Sequence, residues 1–223
     1  MVAAGRSTRV GGDLPKQYVP IHGVPVLLRA VRPFASHPDV AHVVVVLGSG
    51  DAEDPPDFLA GLTGDGLAVV AGGRERADSV AAGLQALGPQ CEIVLVHDGA
   101  RPFVERSVID AVIGHARNGY GAIAAVPVSD TIKEAIGPNP TVVGRTVPRD
   151  GLWRAQTPQG FPRRMLEEAY AAAGAGAGGA TDDASLVEAY GGVVRLVPDS
   201  PRNIKITTRD DLALAEALAG VDA

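Results

Sequence analysis

HVVVVL, residues His42 to Leu47, is nearly continuous in valine, the pattern of a strand buried on both faces. Three further runs share its apolar, β-prone character: Leu67 to Ala71, Ile93 to Val96 and Ala122 to Val126. Amphipathic segments around them predict helices over Val26 to Ser36, Ser79 to Leu87, Ser107 to Arg117, Arg163 to Ala173, Asp182 to Tyr190 and Arg209 to Leu218. Pro33 should kink the first of these, Gly88-Pro89 stops the second, and Thr208 and Asp211 have capping-box spacing before the last. Buried strands alternating with helices predict an α/β fold, a Rossmann-like, mostly parallel twisted sheet with helices on both faces.

Two regions break the rhythm. Thr131 to Val147 holds two short β-prone runs around Gly137-Pro138-Asn139-Pro140, which predicts a β-hairpin arm leaving the main sheet. A two-stranded arm is marginal alone, so it is expected to pack on a partner subunit. Ala171 to Ala180, AAAGAGAGGA, predicts a mobile loop rather than continued helix. No repeat or linker divides residues 1–223, so a single domain with the arm at about 131–147 is expected.

The chain has 223 residues, 46% of them hydrophobic, enough for a proper core. Cys91 is the one cysteine, so no intramolecular disulfide can form. No apolar run approaches membrane-spanning length and the start lacks a signal-peptide layout, so a cytoplasmic protein away from membranes is expected. The net charge of −6 offers no global field for a nucleic-acid polymer. An anionic ligand must therefore meet locally gathered cations.

Such cations gather at Ala3 to Tyr18, AAGRSTRVGGDLPKQY. Gly5, Gly11 and Gly12 let backbone amides turn inward, and Arg6, Arg9 and Lys16 add charge, a combination suited to phosphates. The stretch matches neither GxGxxG nor GxxxxGK[ST], which argues against a nicotinamide dehydrogenase and an ordinary ATPase. GGRERADSV, Gly72 to Val80, follows the Leu67 strand, and VHDGARPF, Val96 to Phe103, ends the Ile93 strand. Loops at strand carboxyl ends are where open α/β sheets bind ligands. Asp98 can hold a hydroxyl or a metal and Arg101 can fork a phosphate, or the two can simply pair. Lys205 sits in an apolar, strand-like stretch, so its ammonium must be paired or face a polar cavity. Trp153 reads as hydrophobic anchoring.

Taken in order, AAGRSTR, PKQY, GGRERADSV, VHDGARPF, PVSDTIK, RDGLWRAQTPQ, TDDAS and NIKIT resemble the 2-C-methyl-D-erythritol 4-phosphate cytidylyltransferase family from Val2 to about Ala219. The resemblance implies a nucleotidyltransferase of isoprenoid synthesis, in which the phosphate of methylerythritol phosphate attacks the α-phosphorus of CTP and expels pyrophosphate. It implies that Arg9 and Lys16 stabilise the transition state and that Arg149 and Lys205 position the attacking phosphate. It assigns Ala3, Ala4 and Gly5 to nucleotide contacts, and Gly73, Arg74 and Ser79 to the cytosine-reading turn. Arg74 stands where the family often has an acid. Asp98, Arg101, Thr131 and Thr157 match positions for methylerythritol phosphate. The resemblance further implies Mg²⁺ across the triphosphate, with no ligand residue assigned, and a homodimer whose arm carries Arg149 to the neighbouring site. Met1 and Val2 stand where the family has a longer apolar run, so the first strand is expected to be cut short.

A phosphate monoester has its second pKa near ~6, so the nucleophile is already largely anionic and needs no general base. The obstacle is gathering anions, which calls for cations and in-line positioning. Two rivals remain on sequence: a ribitol 5-phosphate cytidylyltransferase, which shares the PKQ, RPF, QTPQ and NIKIT elements, and a non-catalytic nucleotide-binding module.

Overall fold

Five consecutive apolar residues make β3 (Val43–Leu47) the most deeply buried strand of the molecule. The computed structural model describes residues 1–5, 14–64, 66–137 and 142–221. Ahead of β3 come a 3-10 turn at Lys16–Tyr18, the short strands β1 (Pro20–Ile21) and β2 (Val24–Pro25), and helix α1 (Val26–Ala35), which runs on through Pro33. After β3 come α2 (Ser49–Glu53), α3 (Asp57–Ala60), β4 (Leu67–Ala71), α4 (Arg76–Ala86), β5 (Ile93–Val96), α5 (Arg106–Arg117) and β6 (Gly121–Pro127). The arm strands β7 (Ile132–Ile136) and β8 (Val142–Val147) follow, then β9 (Trp153–Pro162), α6 (Arg163–Ala173), a 3-10 segment at Gly174–Gly179, α7 (Asp183–Ala189), β10 (Val194–Pro198) and α8 (Arg209–Val221).

β3 and β4 pair in parallel, and a second ladder runs in the order β10-β6-β9-β5. In that ladder β10 and β6 are parallel, while β9 runs antiparallel to both β5 and β6. Val2 makes single parallel bridges to Val46 on one side and to Asp98 on the other. Backbone bonds from Ala3 N to Val46 O and from Val2 N to His97 O hold it there, each at 2.8 Å.

Alternation along β3 sorts the core. Val43, Val45 and Leu47 pack with Leu27, Val31 and Phe34 of α1 and with Ile109 and Ile113 of α5. A second cluster joins Val94 and Val96 of β5 to Val80 and Leu84 of α4, Leu166 of α6 and Val187 of α7. Strands and helices thus alternate as an α/β sequence should.

The structure corrects several boundaries. Helix α4 begins at Arg76, not Ser79, because Glu75 and Asp78 close a capping box ahead of it. Ser79 lies inside the helix, its hydroxyl donating to Glu75 O at 3.2 Å. Ala171 to Ala180 is helix to Ala173 and then a 3-10 turn, with Ala177 buried in the second core cluster. The NIKIT stretch forms no strand; Ile206 N reaches Ala100 O at 2.9 Å, and its side chain is fully buried against Ile21, Val26 and Ala215. Strand β9 is long yet carries no hydrophobic signature, since Gln156, Thr157 and Gln159 are among its buried residues. Thr208 and Asp211 do form a capping box at α8, with Thr208 N donating to Asp211 at 2.8 Å and Asp211 N donating to Thr208 at 3.2 Å.

β7 and β8 pair antiparallel from Ile132 opposite Val147 to Ile136 opposite Val142, leaving Ile136, Val142 and Val143 exposed on a single chain. Residues 138–141 of the intervening turn lie outside the described residues.

Candidate active site

The carboxyl ends of β4 and β5 and the residues after Val2 open onto one cavity of about 230 Å³. Ala3, Ala4 and Gly5 form one wall, Gly73, Arg74 and Ser79 a second, and Asp98 a third, while Lys16 and Lys205 bring ammonium groups in from distant parts of the chain. Gly72 permits the approach of the first two walls. A Cβ there would stand 2.6 Å from Ser79 Oγ and 2.7 Å from Ala4 Cβ, so a side chain would push β4 off the Ala3–Gly5 segment.

Asp98 is the electrostatic centre. Its Oδ2 lies 2.8 Å from Lys205 Nζ and 3.7 Å from Arg101 Nε, and its Oδ1 lies 3.7 Å from Arg76 Nε. Burial alone would raise the pKa of this carboxyl, but Lys205, then Arg76 and Arg101, outweigh burial and hold it at about 2. Lys205 therefore meets the requirement of a paired ammonium, and Asp98 and Arg101 do pair. Arg76 in turn donates from Nη2 to Asp183 Oδ2 at 2.7 Å, and Tyr170 Oη donates to Asp183 Oδ1 at 2.6 Å. Burial works against the Arg76 charge, yet Asp183 and Asp98 more than offset it and raise its pKa.

Behind Asp98 stands a fixed hydrogen-bond chain. Asp98 N donates to Thr157 Oγ1 at 3.1 Å, Thr157 Oγ1 meets His97 Nδ1 at 3.0 Å, and His97 Nε2 donates to Arg101 O at 3.0 Å. Burial lowers the His97 pKa to about 4, so the ring is neutral and Nδ1 accepts the Thr157 hydroxyl proton. Arg101 also donates from Nη1 to Asn203 O at 2.7 Å, which ties the β5 loop to the NIKIT stretch.

The structure thus brings together Ala3, Ala4, Gly5, Lys16, Gly73, Arg74, Ser79, Asp98 and Lys205. Arg101 and Thr157 stand behind Asp98 rather than on the cavity wall. Thr131 and Arg149 are exposed at the root of the arm, away from the cavity of their own chain, with Arg149 donating to Ser129 O. Arg9, with Arg6, Gly11 and Gly12, lies outside the described residues. Sequence reasoning missed Arg76 and Asp183 as a pair, since 107 residues separate them. Their common signal was membership of the GGRERADSV and TDDAS motifs.

The carboxylates on the cavity wall are Asp98 and Glu75. Asp98 is taken by cations and Glu75 by the α4 capping box, so the described residues do not fit a resident metal ion. The group His37, Asp39 and Asp110 lies elsewhere, and His37 is already engaged on both ring nitrogens. Among the described residues no helix is long and apolar enough to cross a membrane.

The family model described as IspD, 2-C-methyl-D-erythritol 4-phosphate cytidylyltransferase, matches residues 1–220. A bifunctional IspD/IspF enzyme of Rhodospirillum rubrum is 47% identical over 224 residues, covering 98% of this chain and 56% of that protein. A 2-C-methyl-D-erythritol 4-phosphate cytidylyltransferase of Syntrophus aciditrophicus is 43% identical over 221 residues, covering 96% of this chain and 92% of the relative. The chain therefore spans about half the length of the bifunctional relatives. The crystal structure of the corresponding cytidylyltransferase from Thermus thermophilus is similar at a TM-score of 0.79 and 38% identity, covering 99% of this chain and all of that one.

Proposed function

The chain belongs to the 2-C-methyl-D-erythritol 4-phosphate cytidylyltransferase family, and from that premise we propose that it transfers the cytidylyl group of CTP to methylerythritol phosphate and releases pyrophosphate. The observation that carries the reading is the shared cavity in which Lys16 and Lys205 face the backbone of Ala3 to Gly5. The attacking phosphate is anionic at neutral pH, so the site needs no proton acceptor. What it needs is positive charge fixed in advance where phosphate charge gathers.

In this reading Lys16, with Arg9, stabilises charge on the α-phosphate, and backbone at Ala3, Ala4 and Gly5 holds the nucleotide. Gly73, Arg74 and Ser79 read the cytosine. Asp98 accepts from the hydroxyls of methylerythritol phosphate beside Lys205, with Arg101 holding the Asp98 carboxylate from behind and Thr157 fixing its backbone. Thr131 and Arg149 serve the site of a second subunit, reached by the arm, whose exposed Ile136, Val142 and Val143 suit burial in a homodimer. Mg²⁺ enters with the triphosphate as part of the substrate. The two ladders joined at Val2 form one Rossmann-like, mostly parallel sheet in a single nucleotidyltransferase domain. The protein works in the cytoplasm.

The test is pyrophosphate release from CTP and Mg²⁺ with methylerythritol phosphate, with ribitol 5-phosphate, and with neither. Turnover confined to the first acceptor is expected. Turnover with ribitol 5-phosphate alone would move the assignment to the polyol relative, and none with either would leave a nucleotide-binding module.

A further inference from the structure

Asp183 has no place in the functions assigned above, yet its side chain is fully buried. A buried carboxylate is costly unless its charge is matched, and both oxygens here are matched, one by Tyr170 Oη and the other by Arg76 Nη2. The three groups come from different helices: Arg76 opens α4, Tyr170 lies in the last turn of α6 and Asp183 begins α7. What they hold in common is the orientation of one guanidinium. Arg76 reaches the cavity wall, and its Nε faces Asp98 Oδ1 at 3.7 Å while Lys205 occupies Oδ2 at 2.8 Å.

Resting on the function proposed above, we propose that Arg76 is a positioning residue: anchored by Asp183 and Tyr170, it fixes the plane of the Asp98 carboxylate so that Lys205 Nζ is presented to the cavity. Three charges would suffice to neutralise Asp98, but neutrality does not set direction. Lys205 sits on a stretch without ladder hydrogen bonds and its side chain is 40% exposed, so its own segment does not fix the ammonium. A carboxylate gripped on one oxygen from α4 and on the other from the NIKIT stretch does.

Arg76→Gln and Asp183→Asn test this against wild type. Both are expected to lower kcat by about ten- to a hundredfold, the cost of a misaimed group, with KM for CTP held within about twofold. The double variant removes both charges together, so it folds where a single variant leaves one unmatched, and its kcat should be no lower than that of Arg76→Gln. Lys16, Lys133 and Lys205 are the chain's three lysines, so Nζ-labelled lysine NMR reads the geometry without turnover. The Lys205 signal should shift in each variant while Lys133, on the arm, stays put. A raised KM with kcat retained would make Arg76 a direct nucleotide contact and overturn the proposal. So would a lowered melting temperature with an unmoved Lys205 signal and unchanged kcat per folded enzyme. Wild type without turnover would sink the proposed reaction, and the Lys205 signal would then decide this inference by itself.

Discussion

Asp98→Asn keeps the shape of the side chain and removes the charge that Lys205, Arg76 and Arg101 share. The wild-type carboxyl titrates at about 2 where an ordinary aspartyl group does so at 3.8. Because the folded value is depressed, the stabilisation is complete above the ordinary value and is lost as pH falls toward the folded one. The gap corresponds to roughly 2 kcal/mol, of which about half is already lost at pH 3. The asparagine variant has no such titration. It carries a separate, constant penalty, since three facing cations keep their charge throughout the acid range. Urea unfolding of both proteins from pH 6 to pH 3 should therefore show the wild-type advantage shrinking by about 1 kcal/mol over that interval. An advantage of the same size at both ends would refute the claim that the cations hold this carboxyl ionised.

Lys16→Ala and Lys205→Ala should each lower kcat by roughly two to three powers of ten in steady-state assays, and unchanged kcat in both would remove their roles. Gly99→Ala should destabilise the protein by about 1–3 kcal/mol in urea and raise KM for CTP. Its Cβ would stand 2.8 Å from Leu27 Cδ1 and 2.9 Å from Ala3 Cβ, and Ala3 can yield only by moving the backbone that the proposed function assigns to the nucleotide. Thr208→Ala should cost about 1 kcal/mol of stability through the lost α8 cap, and an unshifted unfolding midpoint would count against that cap.

The strands β3, β4 and β5 were legible because they are apolar on consecutive residues, as strands covered from both sides must be. β9 was not, although it lies between β5 and β6. Its buried polar residues answer to partners remote in sequence: Gln159 Oε1 accepts from Ala184 N, and Gln156 Nε2 donates to Asn203 O. Hydrophobic periodicity cannot register a strand whose buried side chains are polar. The NIKIT stretch misled in the opposite sense, since Ile204 and Ile206 look like strand residues but anchor a loop. In the site, the loops after Val2, β4 and β5 were legible from glycine and charge at strand ends. The Arg76 and Asp183 pair was not, because its meaning resides in contact between helices.

Val2 has a mechanical consequence. With Met1 and Ala3 it is the seam between β3 and β5, and the next residues along the chain, Ala4 and Gly5, line the cavity. Lys16, Arg74 and Lys205 line the same cavity, Lys205 at 2.8 Å from Asp98 beyond the end of β5. Any strain that parts β3 from β5 would open the cavity, and in the reaction proposed above a bound triphosphate would act as a suture across it. On that reading nucleotide should draw β3 and β5 together, with the gain in cohesion felt along both strands far below the cavity itself.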